Sequence, residues 1–486
     1  VPSVPPDGYG RIGPPRAGVG ARTRPGALER GNISQLGDLV KRAVVLGGSI
    51  AGLYAARALS DHADDVVILD AEDTGEDGTG EAGTGRGAPQ RHQLHALLSM
   101  GHTQLERWFP GITGELVAGG ARLGTGPEVQ FYVDGALKAP VADIRMLGAT
   151  RPFIESRVRR RVAALPNVHV LQGQAGGLLF GAGRVRGVRY STAEDTSAAA
   201  GHESELDADL VVDAMGRSSR LGTWLLRGGW DHAPLDRMRI DLGYATAVFR
   251  RGDELPGTVV AHASPGPASG YQPTLSEPGA MVAVEDNRWM VVLAGYTDHR
   301  PGRDPGEFLA RMRRCVGPLR EIADHCAMDG DVRTFHFQES RRRDFTRLSR
   351  FPGGLVAVGD SVASVNPVYG QGLTLAALQA SCLAASLRAG AAPHDPAWEY
   401  FRRAGVVVDA AWQVSATADL AQPHVKGPYP RGYRLVRWAG DKIMEASVID
   451  SRVNQAFMDV VHMRRHPNTL THPRLLARAA RVLSTR

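Results

Sequence analysis

Lysine and cysteine are scarce in this chain of 486 residues, and each scarcity excludes something. The lysines are Lys41, Lys138, Lys426 and Lys442, so nearly all of the 57 basic side chains are arginine. Against 51 acidic residues they leave a formal net charge of +6. That excess is spread along the chain, and no basic block is interleaved with aromatics, so no nucleic-acid surface is expected. Arginine in place of lysine, beside abundant Ala and Gly, fits a GC-rich coding bias. Cys315, Cys326 and Cys382 are an odd number without a Cys-x-x-Cys spacing. A disulfide framework and a zinc ribbon are thereby excluded, and reduced thiols in a cytosol fit. No apolar run approaches the ~18 residues of a membrane span. The N-terminus has no charged head leading into an apolar run, so a secretory leader is not expected. A cytoplasmic protein that touches no membrane follows.

What is present is an α/β pattern. Residues 1–40 are rich in Pro, Gly and Arg and read as a disordered extension. Residues 42–46 form a short β-branched run, 50–59 an Ala-rich helical stretch, and 66–70 a second buried strand, which together make a βαβ unit. Residues 72–88 are a low-complexity loop. Further on, 153–165 has helical spacing, 168–171 and 209–213 are strands, and 178–190 is a hairpin. Residues 238–298 alternate strand-like runs with turns, which predicts a largely antiparallel sheet. A strand at 355–358, a helix at 372–387 and helical patterns from 396 onward complete the chain. The predicted domains are a discontinuous nucleotide-binding unit (41–235 with 331–390), a substrate-binding antiparallel sheet (236–330) and a helical C-terminal region (391–486).

Two glycine-rich turns carry the chemistry. The first, Gly47-Gly48-Ser49-Ile50-Ala51-Gly52, follows the first strand and opens the first helix. Gly47 permits the tight turn, a small residue at 49 lets the backbone approach a pyrophosphate, and Gly52 lets helix and strand pack closely. Asp70 ends the next strand, where an acid can bind a ribose diol. Gly181-Ala182-Gly183 precedes a strand, and Gly83, Gly85 and Gly87 fall in the low-complexity loop, so neither predicts a second nucleotide site. This fingerprint leaves NAD and FAD open. In the second turn a buried strand ends in Gly359-Asp360, and Asn366-Pro367-Val368-Tyr369-Gly370-Gln371-Gly372 opens a long helix. An acid at that strand end can hold a polyol, and amides at that helix start can stabilise a reduced electron-accepting ring.

Together these motifs resemble the group A flavoprotein monooxygenases, the family of para-hydroxybenzoate hydroxylase. Within it the chain looks most like the actinobacterial polyketide-tailoring branch near the polyether epoxidases. The resemblance spans about residues 42–390 and is weaker in the tail. It implies a Rossmann-like FAD-binding domain, with Asp360 on the ribityl chain and Pro367, Gly370, Gln371 and Gly372 facing the isoalloxazine. It further implies Arg151 on the FAD phosphates or ribityl, and Asp213 at the family's Asp-Gly position, with Ala214 following. Gln90 and His95 match the branch's Gly-x-Pro-Gln-x-Arg-His-x-His pattern, whereas Arg91 and His92 stand one residue out of register. His92 and His95 have no evident third metal ligand, so no metal is expected. His462 and His466, four apart, read as a solvated helix face. Asp213 reads as structural rather than catalytic, and no residue declares itself as catalytic acid or base. The Trp-x-Trp-x-Ile-Pro signature of flavin halogenases is absent.

The implied function is a hydroxylase or epoxidase of a polyketide-like metabolite, with NAD(P)H reducing the flavin and O₂ activated at its C4a. Some relatives in spirotetronate and spirotetramate pathways act instead as redox-neutral [4+2] cyclases on linear polyenes, where positioning alone lowers the barrier. The displaced Arg-His pair favours that alternative. A large apolar small molecule is the expected partner, and the oligomeric state stays open.

Overall fold

A computed structural model describes residues 40–72, 89–95, 97–192, 203–269 and 274–485. The expected extension 1–40 lies outside these except for Val40, as does the loop 72–88 beyond Glu72, with Gly83, Gly85 and Gly87.

In the strand Val40–Leu46, Ala43, Val44 and Val45 are wholly buried, as in a central parallel strand covered on both faces. It pairs in parallel with Ala63–Asp70 on one side and Leu210–Asp213 on the other. Val168–Gln172 and Leu355–Ala357 extend this sheet to five strands, both in parallel register. The crossover helix Ile50–Leu59 buries Ala55, Ala56 and Ala58 and packs against the helix Gly372–Arg388. The predicted hairpin is formed by Gln174–Gly181 and Arg184–Ser191, turning through Ala182 and Gly183 at positive φ.

A second, eight-stranded sheet stands beside the first and is antiparallel at every pairing but one. Its centre is the long strand Leu235–Arg250 between Arg333–Arg343 and Arg288–Tyr296. It reaches beyond the predicted block 236–330, since Val129–Val133, Ala136–Leu137, Arg333–Arg343 and Ala363–Ser364 all join it. The free edge of Val260–Ser264 is satisfied by Val129–Val133 in parallel register, a pairing that no local pattern announces.

Four helices follow: Trp398–Asp419, Tyr433–Ser447, Ser451–Val461 and Pro473–Ser484. Tyr400 anchors the first by donating to the Ala357 carbonyl at 2.6 Å. The predicted solvated face of His462 and His466 does not form. The helix ends at Val461, so a four-residue spacing has no helical meaning there. His462 is fully buried and its Nδ1 accepts the Ser99 N–H at 3.1 Å, while His466 caps the turn Pro467–Thr471. No helix among the described residues is long and apolar enough to cross a membrane.

Candidate functional site

Both glycine turns open on one cavity of about 1510 Å³. A single small-molecule site typically measures ~300–1,000 Å³, so there is room for a large cofactor and a substrate together. Gly47, Gly48, Ser49, Ile50, Ala51 and Asp70 line it from the first motif. Gly359, Asp360, Pro367, Gly370 and Gly372 line it from the second, and Gln90, His95 and Arg151 also reach it. Gly52, Asp213 and Gln371 do not stand on its wall.

The first turn is shaped by close approach. Gly47 has φ +101°, and a Cβ on it would stand 2.9 Å from the Ala214 carbonyl oxygen. A Cβ on Gly52 would stand 1.9 Å from the Gly47 carbonyl oxygen, so only glycine lets helix and turn meet. A Cβ on Gly48 would stand 2.2 Å from Asp70 Oδ2. The second turn touches the first directly: Gly359 has φ +65°, and its Cβ would meet the Ala51 Cβ at 2.6 Å. Strand ends about 310 residues apart in sequence are thereby held against each other by the parallel sheet.

Asp213 is the clamp between them. It is wholly buried, and its Oδ1 accepts from the Met215 N–H and the Ser361 hydroxyl, each at 3.1 Å. Ser219 donates to its Oδ2. Burial raises its pKa, against these hydrogen bonds. Ser361 also accepts the Gly216 N–H at 2.9 Å, which ties the Gly-Asp turn to the third strand end. Asp360 points elsewhere, accepting from Ser364 at 3.1 Å and facing the cavity.

Sequence reasoning missed a stripe of charge on the helix Arg151–Ala163. Arg151, Glu155 and Arg159 recur at four-residue steps and therefore share one face. That spacing was visible and could have been read. Arg151 donates to Glu155 at 2.9 Å and to Ser49 Oγ at 3.0 Å, and its Nη1 lies 3.3 Å from His95 Nε2. His95 Nδ1 lies 2.8 Å from the Gln93 carbonyl, so it donates there and leaves Nε2 as the acceptor for Arg151. Burial first, and Arg151 second, push the His95 pKa down to about 3. Glu155 accepts from Ser49 Oγ and from the Ile50 N–H at the helix start. Burial opposes its charge, but Arg151 and Arg91 hold its pKa below the ordinary value. Arg159 donates to the Gly48 carbonyl at 2.6 Å, and its buried Nη1 has no hydrogen-bond partner among the described residues.

Arg91, one residue out of register in sequence, still arrives at this cluster. It is 5% exposed and pairs with Glu72 at 2.9 Å and Glu155 at 3.2 Å, whereas His92 is exposed. Among the described residues no group of three or more His, Cys, Asp or Glu side chains could hold a metal.

These residues fit FAD. The glycine cradle at 47, 48 and 52 leaves space that any Cβ would fill, and Arg159 Nη1 is a buried donor awaiting an acceptor. In the helix Gly372–Arg388 the first intrahelical bond is Leu375 N–H to Gln371 O, so the amides before it are free to donate outward. Gly370 at φ +66° turns the chain into that helix, and a Cβ on Gly372 would meet nothing. The wall from the eight-stranded sheet is largely apolar, with Met281, Val282, Val292, Phe335 and Phe337 beside Tyr244, His262 and Tyr296.

No family model matches the chain. Protein Rv3254 of Mycobacterium tuberculosis (strain ATCC 25618 / H37Rv) is 31% identical over 442 residues, covering 87% of this chain and 90% of that protein. The chain belongs to the family of Protein Rv3254. Among solved structures it is similar to the flavin-dependent brominase Bmp2, with a TM-score of 0.61 and 13% identity over 88% of this chain and 96% of that one. The p-nitrophenol 4-monooxygenase PnpA from Pseudomonas putida DLL-E4 matches with a TM-score of 0.61 and 17% identity, over 88% of this chain and 100% of that one. PqsL, a probable FAD-dependent monooxygenase from Pseudomonas aeruginosa, matches with a TM-score of 0.58 and 16% identity, over 83% and 99%. At these identities the likeness establishes the fold, which is that of the FAD-dependent monooxygenases and halogenases.

Proposed function

We propose that this chain is an FAD-dependent monooxygenase, a hydroxylase or epoxidase, acting on a large apolar metabolite of polyketide type with NAD(P)H as external reductant. The observation that carries the reading is the meeting of both glycine turns on one cavity whose sheet wall is largely apolar. FAD, when bound, supplies the redox and oxygen-activating chemistry. The chain's own residues supply the rest. The cluster of Arg91, Arg151 and Arg159 at the first helix start would hold the pyrophosphate, and Asp70 the ribose. Asp360 would hold the ribityl chain, and the free amides at 372–374 would favour negative charge on the ring. The sheet wall excludes water from the space left for the substrate.

Two features support oxygen transfer over the alternatives. The displaced Arg-His pair favoured a redox-neutral [4+2] cyclase; Arg91 nonetheless sits in the charge cluster, which weakens that ground, although His92 is exposed. Halogenases share the fold, and the tryptophan signature expected of them is absent from this sequence.

The test is anaerobic. Yellow purified protein mixed with NADH or NADPH should bleach, faster in the presence of a polyketide substrate. A flavin that stays oxidised while a linear polyene still cyclises would establish the cyclase instead.

A further inference from the structure

The eight-stranded sheet and the C-terminal helices enclose a cation that the flavin reading does not use. Lys138 follows the edge strand Ala136–Leu137, is 8% exposed, and lines the cavity. Its ammonium lies 3.7 Å from the Phe457 ring centroid and 4.0 Å from Met458 Sδ. Among the described residues it has no carboxylate partner. The neighbouring titratable groups bring no negative charge. His262, on the strand Val260–Ser264, and His462 are both neutral, with pKa values pushed down to about 4 and about 3, chiefly by burial. Burial likewise pushes the Lys138 pKa down to about 7.

A buried ammonium without an anion is costly, and lysine is almost never buried unless paired. A cation–π contact offsets only part of that cost. A methionine of similar length would suit Phe457 and Met458 better. Lys138 is therefore ill-suited to stability and well placed for a ligand. The position is informative too. His262 hydrogen-bonds the backbone of Val368, within the turn Pro367–Tyr369 that opens on the flavin side. The charge of Lys138 is felt by His262, and His262 in turn reaches the loop that would face the reacting ring.

We propose that Lys138 anchors an anionic oxygen of the substrate, a carboxylate or an enolate, on an otherwise apolar molecule. This rests on the flavin reading only in assigning the other half of the cavity to the cofactor.

Four lysines make the test direct. Full-length protein grown on lysine isotope-labelled at Cε should give four resolvable signals, and K138M identifies one. The probes are naphthylacetate and dodecanoate as carboxylates, acetylcyclohexanedione as an enol, and naphthylacetamide as the neutral match. An anionic probe should shift the Lys138 signal and raise its titration midpoint, and the amide should not. A shift with the carboxylates alone assigns a carboxylate, and with the enol alone an enolate. By calorimetry K138M should bind the active probe at least ~10-fold more weakly, and K138R should recover most of that loss. Acid and amide binding alike, full affinity in K138M, or no anionic probe binding at all would overturn the proposal. If K138M misfolds, the wild-type shifts and K138R still decide. Visible absorbance of the same sample separates the two readings. A colourless protein whose Lys138 answers to acid upholds the anchor and sinks the cofactor. A yellow one whose Lys138 ignores every anion sinks the anchor alone.

Discussion

Asp360 and Asp419 flank the loop that opens the helix Gly372–Arg388, and burial raises the pKa of both. Their partners differ. Asp360 faces the cavity with Ser364 as its one side-chain hydrogen-bond donor among the described residues, so its remaining lone pairs are available to a polyol. Asp360→Ala should therefore give folded, colourless protein, melting no lower than flavin-free wild type because a buried charge has been removed. Full flavin occupancy in that variant, read by absorbance, would refute the ribityl placement. Asp419 lies behind the loop and accepts from Asn366 at 2.7 Å and Ser415 at 3.1 Å, with Tyr369 and Tyr296 also bonded to it. Burial pushes its pKa up to about 7, against those hydrogen bonds. The folded chain then holds a proton that the unfolded chain, with a carboxyl pKa of about 4, has released. Asp419 accordingly makes stability fall as pH rises from about 4 to about 7, and its cost is complete above that window. Asp419→Asn should flatten this decline in urea unfolding measured across the window, and an unchanged slope would contradict the assignment. Neither carboxyl's environment was legible in sequence. Asp360 was found through its glycine neighbour, and Asp419 lies in a plain helical stretch.

At the scale of elements, the strand–turn–helix unit was readable because its constraints are local. The helix Ile50–Leu59 begins and ends where the Ala-rich pattern does. Gly52→Ala would drive a methyl to within 1.9 Å of the Gly47 carbonyl, backbone that cannot move without opening the turn. A cost of ~1–3 kcal/mol or more is expected, with loss of flavin. Gly114 is the control. It lies in the helix Ile112–Ala118 with nothing within 4 Å of its would-be Cβ. There Ala should gain up to ~1 kcal/mol of stability and leave flavin content unchanged. Thermal melts of the two variants check both signs. The Arg151–Glu155–Arg159 stripe was equally local and went unread because its charges resemble an ordinary solvated face. Only the packing of that helix against the glycine turn turns the stripe inward.

At the scale of the whole molecule, a cofactor spanning both glycine turns would tie the end of the central strand to the end of an edge strand of the parallel sheet. Flavin present at ~100-fold over its Kd would add ~2.7 kcal/mol to stability. Removing it should lower the melting temperature, and adding FAD back should restore it; equal calorimetric melts before and after removal would refute binding across the sheet. The sequence by itself determined what short-range chemistry controls: a buried strand running into glycine, an acid at the next strand's end, and helices of the right length. It also placed the Gly-Asp turn with the fingerprint, because that pairing of motifs is distinctive. Tertiary structure alone decided which strand completes the second sheet, that His462 is a buried acceptor rather than a surface residue, and that Arg91 joins Glu155 despite its register. It alone left Lys138 without a counter-charge among the described residues. The reason is physical: a backbone turn depends on residues a few positions apart, whereas the charge state of a buried group depends on what distant segments bring to within a few ångströms.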